Sequence, residues 1–290
     1  MSKTKHPIGL RTLFFTEMWE RMSYYGMRGI LVLFMTASIS NGGLDFSNAS
    51  ASAIYGIYAA AVYLMALPGG WLADNIFGQQ KTILFGGIVI MFGHLSLAIP
   101  NMTFFYLGLI LVVMGTGLLK PNISAIVGGL YEKNPSMKES GFTIFYMSIN
   151  IGSILGFFIC GYLGENIGWH YGFGAAGIGM LLGVLQYKFN LNSLGDVGLK
   201  PTNLINEETK NNCKKITLAI FLLVLIVIFS GLSGLWTINP VPLANILTLI
   251  IASISLTYFL YIYFLGQLSE DEKKKIVMIF ILFIGAALFW

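Results

Sequence analysis

The chain has 290 residues, 56% of them hydrophobic and 10% charged, with a mean hydropathy of +0.76 and a formal net charge of +4. That balance excludes an ordinary water-soluble globular domain, and the small positive excess sits in loops between apolar runs, so it gives no reason to expect a nucleic-acid partner. A polytopic, all-α transmembrane helical bundle in a lipid bilayer is left, each span needing about 20 apolar residues to cross a hydrocarbon core of about 30 Å.

Runs of that length predict spans at 12–38, 50–74, 82–100, 103–129, 140–164, 169–189, 216–235 and 244–266, and a ninth beginning near 276. Lys3, Lys5 and Arg11 precede the first span. Lys81, then Lys133 and Lys138, then Lys188, Lys200, Lys210, Lys214 and Lys215, then Lys273, Lys274 and Lys275 follow the second, fourth, sixth and eighth spans. The alternate connections 39–49, 100–102, 165–168 and 236–243 contain neither Lys nor Arg. Basic residues concentrate on the cytoplasmic side, so the N-terminus is predicted to be cytoplasmic.

The first run is long, interrupted by charge and followed by no small-residue cleavage site, and it reads as a retained span, not a signal peptide. Its segment EMWERMSYYGMRG carries Glu17, Glu20, Arg21 and Arg28, although one charge at mid-membrane costs about 2.5–3.5 kcal/mol on the insertion scale. Glu17, Glu20, Arg21, Tyr24 and Arg28 fall along one helical stripe, and Glu17 and Arg21 at i, i+4 are placed to pair. Arginine is rare here, three against fourteen lysines, yet two of the three lie on this stripe. The guanidinium fork suits a carboxylate, from a neighbour or a bound anion; a purely structural ion-pair network is the competing reading, a weak one because buried pairs stabilise poorly.

In the third span His94 stands without carboxylate or cysteine companions, so packing or a local hydrogen bond is expected and not a metal site. The fourth carries Lys120 beside Pro121 in GTGLLKPNIS, where the missing amide hydrogen predicts a bend next to a buried ammonium. The fifth adds Asn150 with Tyr146 one turn earlier, suited to a ligand or equally to a neighbouring helix, and Gly152 and Gly156 at a spacing that lets helix backbones meet in lipid. Gly172, Gly174 and Gly177 satisfy GxGxxG, but inside the sixth span, without the preceding strand a dinucleotide site requires. Cys160 and Cys213 lie at different levels and suggest neither a disulfide nor a metal. With no HExxH, GxSxG or phosphate-loop sequence, nothing points to an enzyme or a cofactor.

The polar stretch 190–215 reads as a cytoplasmic linker, and 216–266 as a hairpin of two plain apolar helices turning at Pro240 and Pro242. The helix from 276 reaches only Trp290, about 22 Å, which predicts that the chain is the N-terminal part of a longer protein. The expected organisation is a six-helix bundle over 1–189, the linker, the hairpin, and the truncated start of a second bundle at 276–290.

Four segments together, EMWERMSYYG at 17–26, GGWLADNIFGQQKT at 69–82, GTGLLKPNIS at 115–124 and FYMSINIGS at 145–153, resemble the proton-dependent oligopeptide transporter family of the major facilitator superfamily, in the same order. The resemblance runs from about residue 10 to the end, and 216–266 is similar to the extra helix pair that bacterial members carry between their two six-helix halves. It implies a multi-pass protein of the bacterial inner membrane that imports di- and tripeptides with protons by alternating access. Glu17, Glu20 and Arg21 match the ExxER motif linked to proton coupling; Arg21 and Lys120 would face the peptide carboxylate; Tyr24, Tyr25, Arg28, Tyr63 and Asn150 would line the pocket; Asp74 and Pro121 would serve gating. The proton is the coupling ion, and no other cofactor is implied. Met22 departs from the family's usual Phe, a change in packing that leaves the charges intact. The family's acidic residue for the peptide's amino terminus, on the seventh core helix, would lie beyond Trp290. A relative moving nitrate or another small anion is the alternative, against which ExxER argues; a membrane scaffold subunit is a distant third, disfavoured by the buried charges.

Overall fold

The computed structural model describes residues 5–203 and 239–289, together with 208, 209, 211–213, 215, 219, 226 and 230. Among these the chain is helical without strands, and it divides into two compact units, Met1–Ile238 and Asn239–Trp290.

The first unit is built from α1 (Ile8–Thr36), α2 (Asn48–Leu72), α3 (Gln79–Leu97), α4 (Met102–Gly129), α5 (Lys138–Asn166) and α6 (Trp169–Phe189). These match the first six predicted spans to within a few residues. The starts are set by local chemistry: Ser47 accepts the Ser50 amide at 3.2 Å and Asn101 the Thr103 amide at 2.8 Å, each satisfying a donor that the first helical turn leaves free. α2 ends in a single π turn, Ala73–Phe77, closed by the Gly78 amide on the Ala73 carbonyl at 2.9 Å. Such a turn inserts one residue into the helical ladder and often marks a functional position.

α1 packs against α5 and α6, α4 against α2 and α3, and α3 against α6. Glycines set the closest crossings. A Cβ on Gly69 of α2 would lie 2.5 Å from the Gly117 carbonyl carbon of α4. Pro121 explains why that carbonyl is available: lacking an N–H, it leaves Gly117, four residues back, without its helical donor. α4 nevertheless runs unbroken through Pro121, and Asn122 Nδ2 ties the crossing together by donating to the carbonyls of Leu118 at 2.7 Å and Gly69 at 3.3 Å.

Two apolar clusters fill the bundle. One gathers Met22, Met27, Leu31 and Phe34 of α1 with Tyr58, Phe105, Val112 and Phe173. The other gathers Leu10 and Leu13 of α1 with Ile83, Ile123, Tyr131, Phe145 and Tyr187. Glu17, Glu20 and Arg21 sit on α1 between the two sets.

After α6 the chain folds back along the bundle as a strap over 190–203. Ser193 Oγ bonds Thr12 Oγ1 at 2.6 Å, Gln80 Nε2 donates to the carbonyls of Gly195 at 2.9 Å and Val197 at 2.8 Å, and the Asn203 amide donates to the Asp74 carbonyl at 2.9 Å. The first half of the stretch read as a linker is therefore docked; half of 204–215, and most of the span at 216–235, lie outside the described residues. Nearby, His6 Nδ1 bonds the Tyr131 hydroxyl at 2.7 Å, and burial pushes that phenol's pKa up.

The second unit comprises α7 (Pro240–Leu265) and α8 (Glu270–Phe289), with Phe259 of α7 against Phe280 and Phe283 of α8 at ring separations of 4.9 and 5.6 Å. α8 starts six residues earlier than the hydropathy predicts because Ser269 and Glu272 form a capping box: the Ser269 amide donates to Glu272 Oε2 at 2.9 Å and the Glu272 amide to Ser269 Oγ at 3.4 Å. These bonds from Ser269 hold the Glu272 carboxyl below its ordinary pKa. Among the described residues, five helical stretches are long and apolar enough to cross a membrane: Asn48–Phe77, Gln79–Leu97, Met102–Gly129, Pro135–Asn166 and Pro240–Leu265. α1 is not in that set, and it carries Glu17, Glu20, Arg21 and Arg28 along its length.

Candidate functional site

The stripe on α1 is buried as its spacing predicts. Glu17 and Glu20 have no exposure and Arg21 has 6%. The pairing is richer than the i, i+4 rule suggests. Arg21 sets its Nε and Nη2 on the two oxygens of adjacent Glu20, while its Nε stays 3.4 Å from Glu17 Oε1. The main partner of Glu17 comes from across the bundle: Lys120 Nζ of α4 donates to Glu17 Oε1. Two carboxylates and two cations thus form one electrically balanced cluster joining α1 to α4. One acceptor is left over, since Glu17 Oε2 is buried without a hydrogen-bond partner among the described residues.

Aromatic rings extend the cluster toward the far end of α1. The Arg21 guanidinium carbon lies 4.7 Å from the Tyr24 ring centre and 5.7 Å from that of Tyr25, within cation–π range. One turn on, Arg28 donates from Nε to the Tyr55 hydroxyl of α2, its guanidinium carbon 5.3 Å from that ring centre. Tyr55 was not singled out in the sequence. Its signal was present in AIYGIYAAAVYL, where Tyr55 and Tyr58 stand three residues apart, one helical turn, on α2.

Of the predicted residues, Glu17, Glu20, Arg21, Tyr24, Tyr25 and Lys120 are brought together, with Arg28 adjoining them. Tyr63 is 76% exposed and Asn150 is exposed on α5; among the described residues no hydrogen bond joins either side chain to the charges. Pro121 is half-buried beside Lys120. Asp74 stands in the π turn that closes α2, under the docked strap. His94 is fully buried, and neither ring nitrogen has a hydrogen-bond partner among the described residues, so of the two expected roles, packing or a local bond, packing is the one seen. Gly172, Gly174 and Gly177 lie within α6. Both cysteines are free, and no cluster of metal-ligating side chains occurs among the described residues.

The arrangement can hold an anion beside Arg21 and Lys120, at the expense of their bonds to carboxylates. Known proteins resemble the chain as a whole. The model of the POT family matches residues 80–290. An uncharacterized transporter, YclF of Bacillus subtilis strain 168, is 44% identical over 98% of the chain and 57% of its own length. The peptide transporter YePEPT of Yersinia enterocolitica is 40% identical over 98% of the chain and 57% of its length. The crystal structure of a peptide transporter POT in complex with sulfate superposes with a TM-score of 0.86 at 38% identity, covering the whole chain and 59% of that protein. The chain therefore spans a little over half the length of the relatives it matches.

Proposed function

Since this chain belongs to the POT family, a family of multi-pass membrane transporters, we propose that it supplies the carboxylate-binding half of a symporter that imports di- and tripeptides with protons. The balanced cluster of Glu17, Glu20, Arg21 and Lys120 carries this reading. A peptide carboxylate arriving at Arg21 and Lys120 would add a fifth charge to a buried site whose four already cancel. One proton on Glu17 or Glu20 restores the balance and releases a cation for the substrate, tying proton uptake to binding. The free Glu17 Oε2 offers an acceptor for it.

Tyr24, Tyr25, Arg28, Tyr63 and Asn150 would complete the pocket wall. The exposure of Tyr63 and Asn150 suits residues that meet a ligand in a cavity open to water. Asp74 in its π turn and Pro121 beside Lys120 would serve gating, where helix ends rearrange. The Lys and Arg distribution supports a cytoplasmic N-terminus in a bacterial inner membrane. The sulfate held by the similar transporter favours a second reading, transport of a small inorganic anion.

Uptake of labelled dialanine into proteoliposomes containing the full-length protein decides between them. Accumulation driven by an inward proton gradient and suppressed by excess unlabelled dipeptide is the expected result. No dialanine uptake from demonstrably folded protein would overturn peptide symport.

A further inference from the structure

Tyr58 of α2 is 4% exposed, and its hydroxyl has no hydrogen-bond partner among the described residues. Its ring packs in the apolar cluster that contains Tyr24, Met27 and Leu31. Packing alone would be served better by phenylalanine, because a buried hydroxyl without a partner costs free energy that a ring hydrogen does not. Tyr24, in the same cluster, sets its ring centre 4.7 Å from the Arg21 guanidinium carbon, so the hydroxyl lies on the side of the Arg21–Glu20 fork and within its field. At rest both Glu20 oxygens are engaged by the Arg21 fork, and the phenol makes no bond to them.

We propose that Tyr58 is a positioning residue whose hydroxyl is held in reserve for the Glu20 carboxylate and engages it when Arg21 turns to a substrate anion. This rests on the peptide-symport reading above. Glu20 is wholly buried, and losing the fork would leave an ionised carboxylate without donors, a state that favours protonation. The O–H of Tyr58 donates to that carboxylate and supports its charged form, and so sets the pH at which a proton must accompany the substrate. The charged and titratable groups facing Glu20 are Glu17, Arg21 and Tyr24 from α1, Tyr58 from α2, and Lys120 from α4. α5 and α6 meet this stretch of α1 with Gly152, Gly156, Gly179 and Met180.

The test is Tyr58→Phe in the full-length protein in proteoliposomes, reading gradient-driven dialanine uptake against pH. The midpoint of the profile should move to higher pH by about one unit, the tenfold change expected for one charge-assisted bond; superimposable profiles overturn the proposal. A second readout does not need transport. In an Arg21→Gln background the fork is absent without any substrate, and adding Tyr58→Phe should extend the infrared band of the protonated carboxyl, assigned with Glu20→Gln, to higher pH by about one unit. An unshifted band overturns the role of Tyr58 even where uptake is intact, whereas a shifted band in protein that takes up no dialanine overturns the peptide reading alone. Should Arg21→Gln fail to fold, wild type and Tyr58→Phe are titrated saturated with dialanine, and an unshifted band again overturns the proposal.

Discussion

Replacing Gly152 with alanine should disturb the charged cluster from behind. A Cβ at Gly152 would stand 2.8 Å from the Arg21 Cβ and 3.0 Å from the Met22 amide nitrogen, and closer still to the Met18 carbonyl oxygen. Carbon–carbon contacts settle at roughly 3.5–4.0 Å, so α1 and α5 must separate by about 1 Å. Two of the three obstacles are backbone atoms, which no rotamer change can move aside. Overpacking of this kind costs about 1–3 kcal/mol, and the displaced atoms flank Glu17 and Glu20 on the same helix. Gly161 of α5 is the internal control: a Cβ there meets nothing within 4 Å, and alanine relieves the helix penalty of glycine, about 1 kcal/mol. Thermal unfolding and dialanine uptake of the full-length protein are the assays. Gly152→Ala should lower the unfolding midpoint and reduce uptake at least tenfold, while Gly161→Ala keeps both. If the two variants behave alike, the crossing at Gly152 does not position Arg21.

Three further outcomes are expected. Glu20→Gln keeps the size of the side chain but gives up the proton exchange, so gradient-driven uptake should be lost while exchange of dialanine across the membrane survives; equal loss of both would remove Glu20 from coupling. Tyr55→Phe deletes the acceptor for Arg28 and keeps the ring beneath it, which should weaken dialanine affinity by about 1 kcal/mol, roughly fivefold; an unchanged affinity in a binding titration would show that Tyr55 does not position Arg28. Gln80→Ala removes both side-chain bonds to the strap, about 2 kcal/mol in all, and amide exchange over 193–199 should lose roughly thirtyfold in protection; retained protection would mean that the strap is held by other contacts.

The helices of the bundle were legible because lipid imposes a length and a hydropathy on every span, and the charges on α1 because they violate that rule. What spacing could not supply was the identity of the partners. It paired Glu17 with Arg21, four residues on, and that pair is present at 3.4 Å, but it gave no sign of the fork on Glu20 or of the ammonium of Lys120, 103 residues away, on Glu17. A long-range partner leaves no periodic trace in α1. The tyrosines of α2 were half legible: Tyr63 entered through the family resemblance, while Tyr55 and Tyr58 blend into an apolar helix and gain meaning only when α2 is laid beside Arg28 and Tyr24. The start of α8 was missed for a different reason. Hydropathy begins counting after Lys275, but the helix begins where Ser269 and Glu272 cap it, and SEDE carries that signal in the sequence.

The docked strap bears on how the protein is made. Residues 190–203 leave the ribosome directly after α6, and their bonds reach back to Thr12 at the start of α1, Gln80 at the start of α3 and Asp74 in the turn between α2 and α3. The first six helices therefore acquire a clasp before α7 is synthesised, in keeping with domains that complete themselves in the order of translation. The boundary of the bundle as a folding unit accordingly lies past its last span. A chain cut after Phe189 would lose every one of these ties, whereas one cut after Asn203 would keep them all.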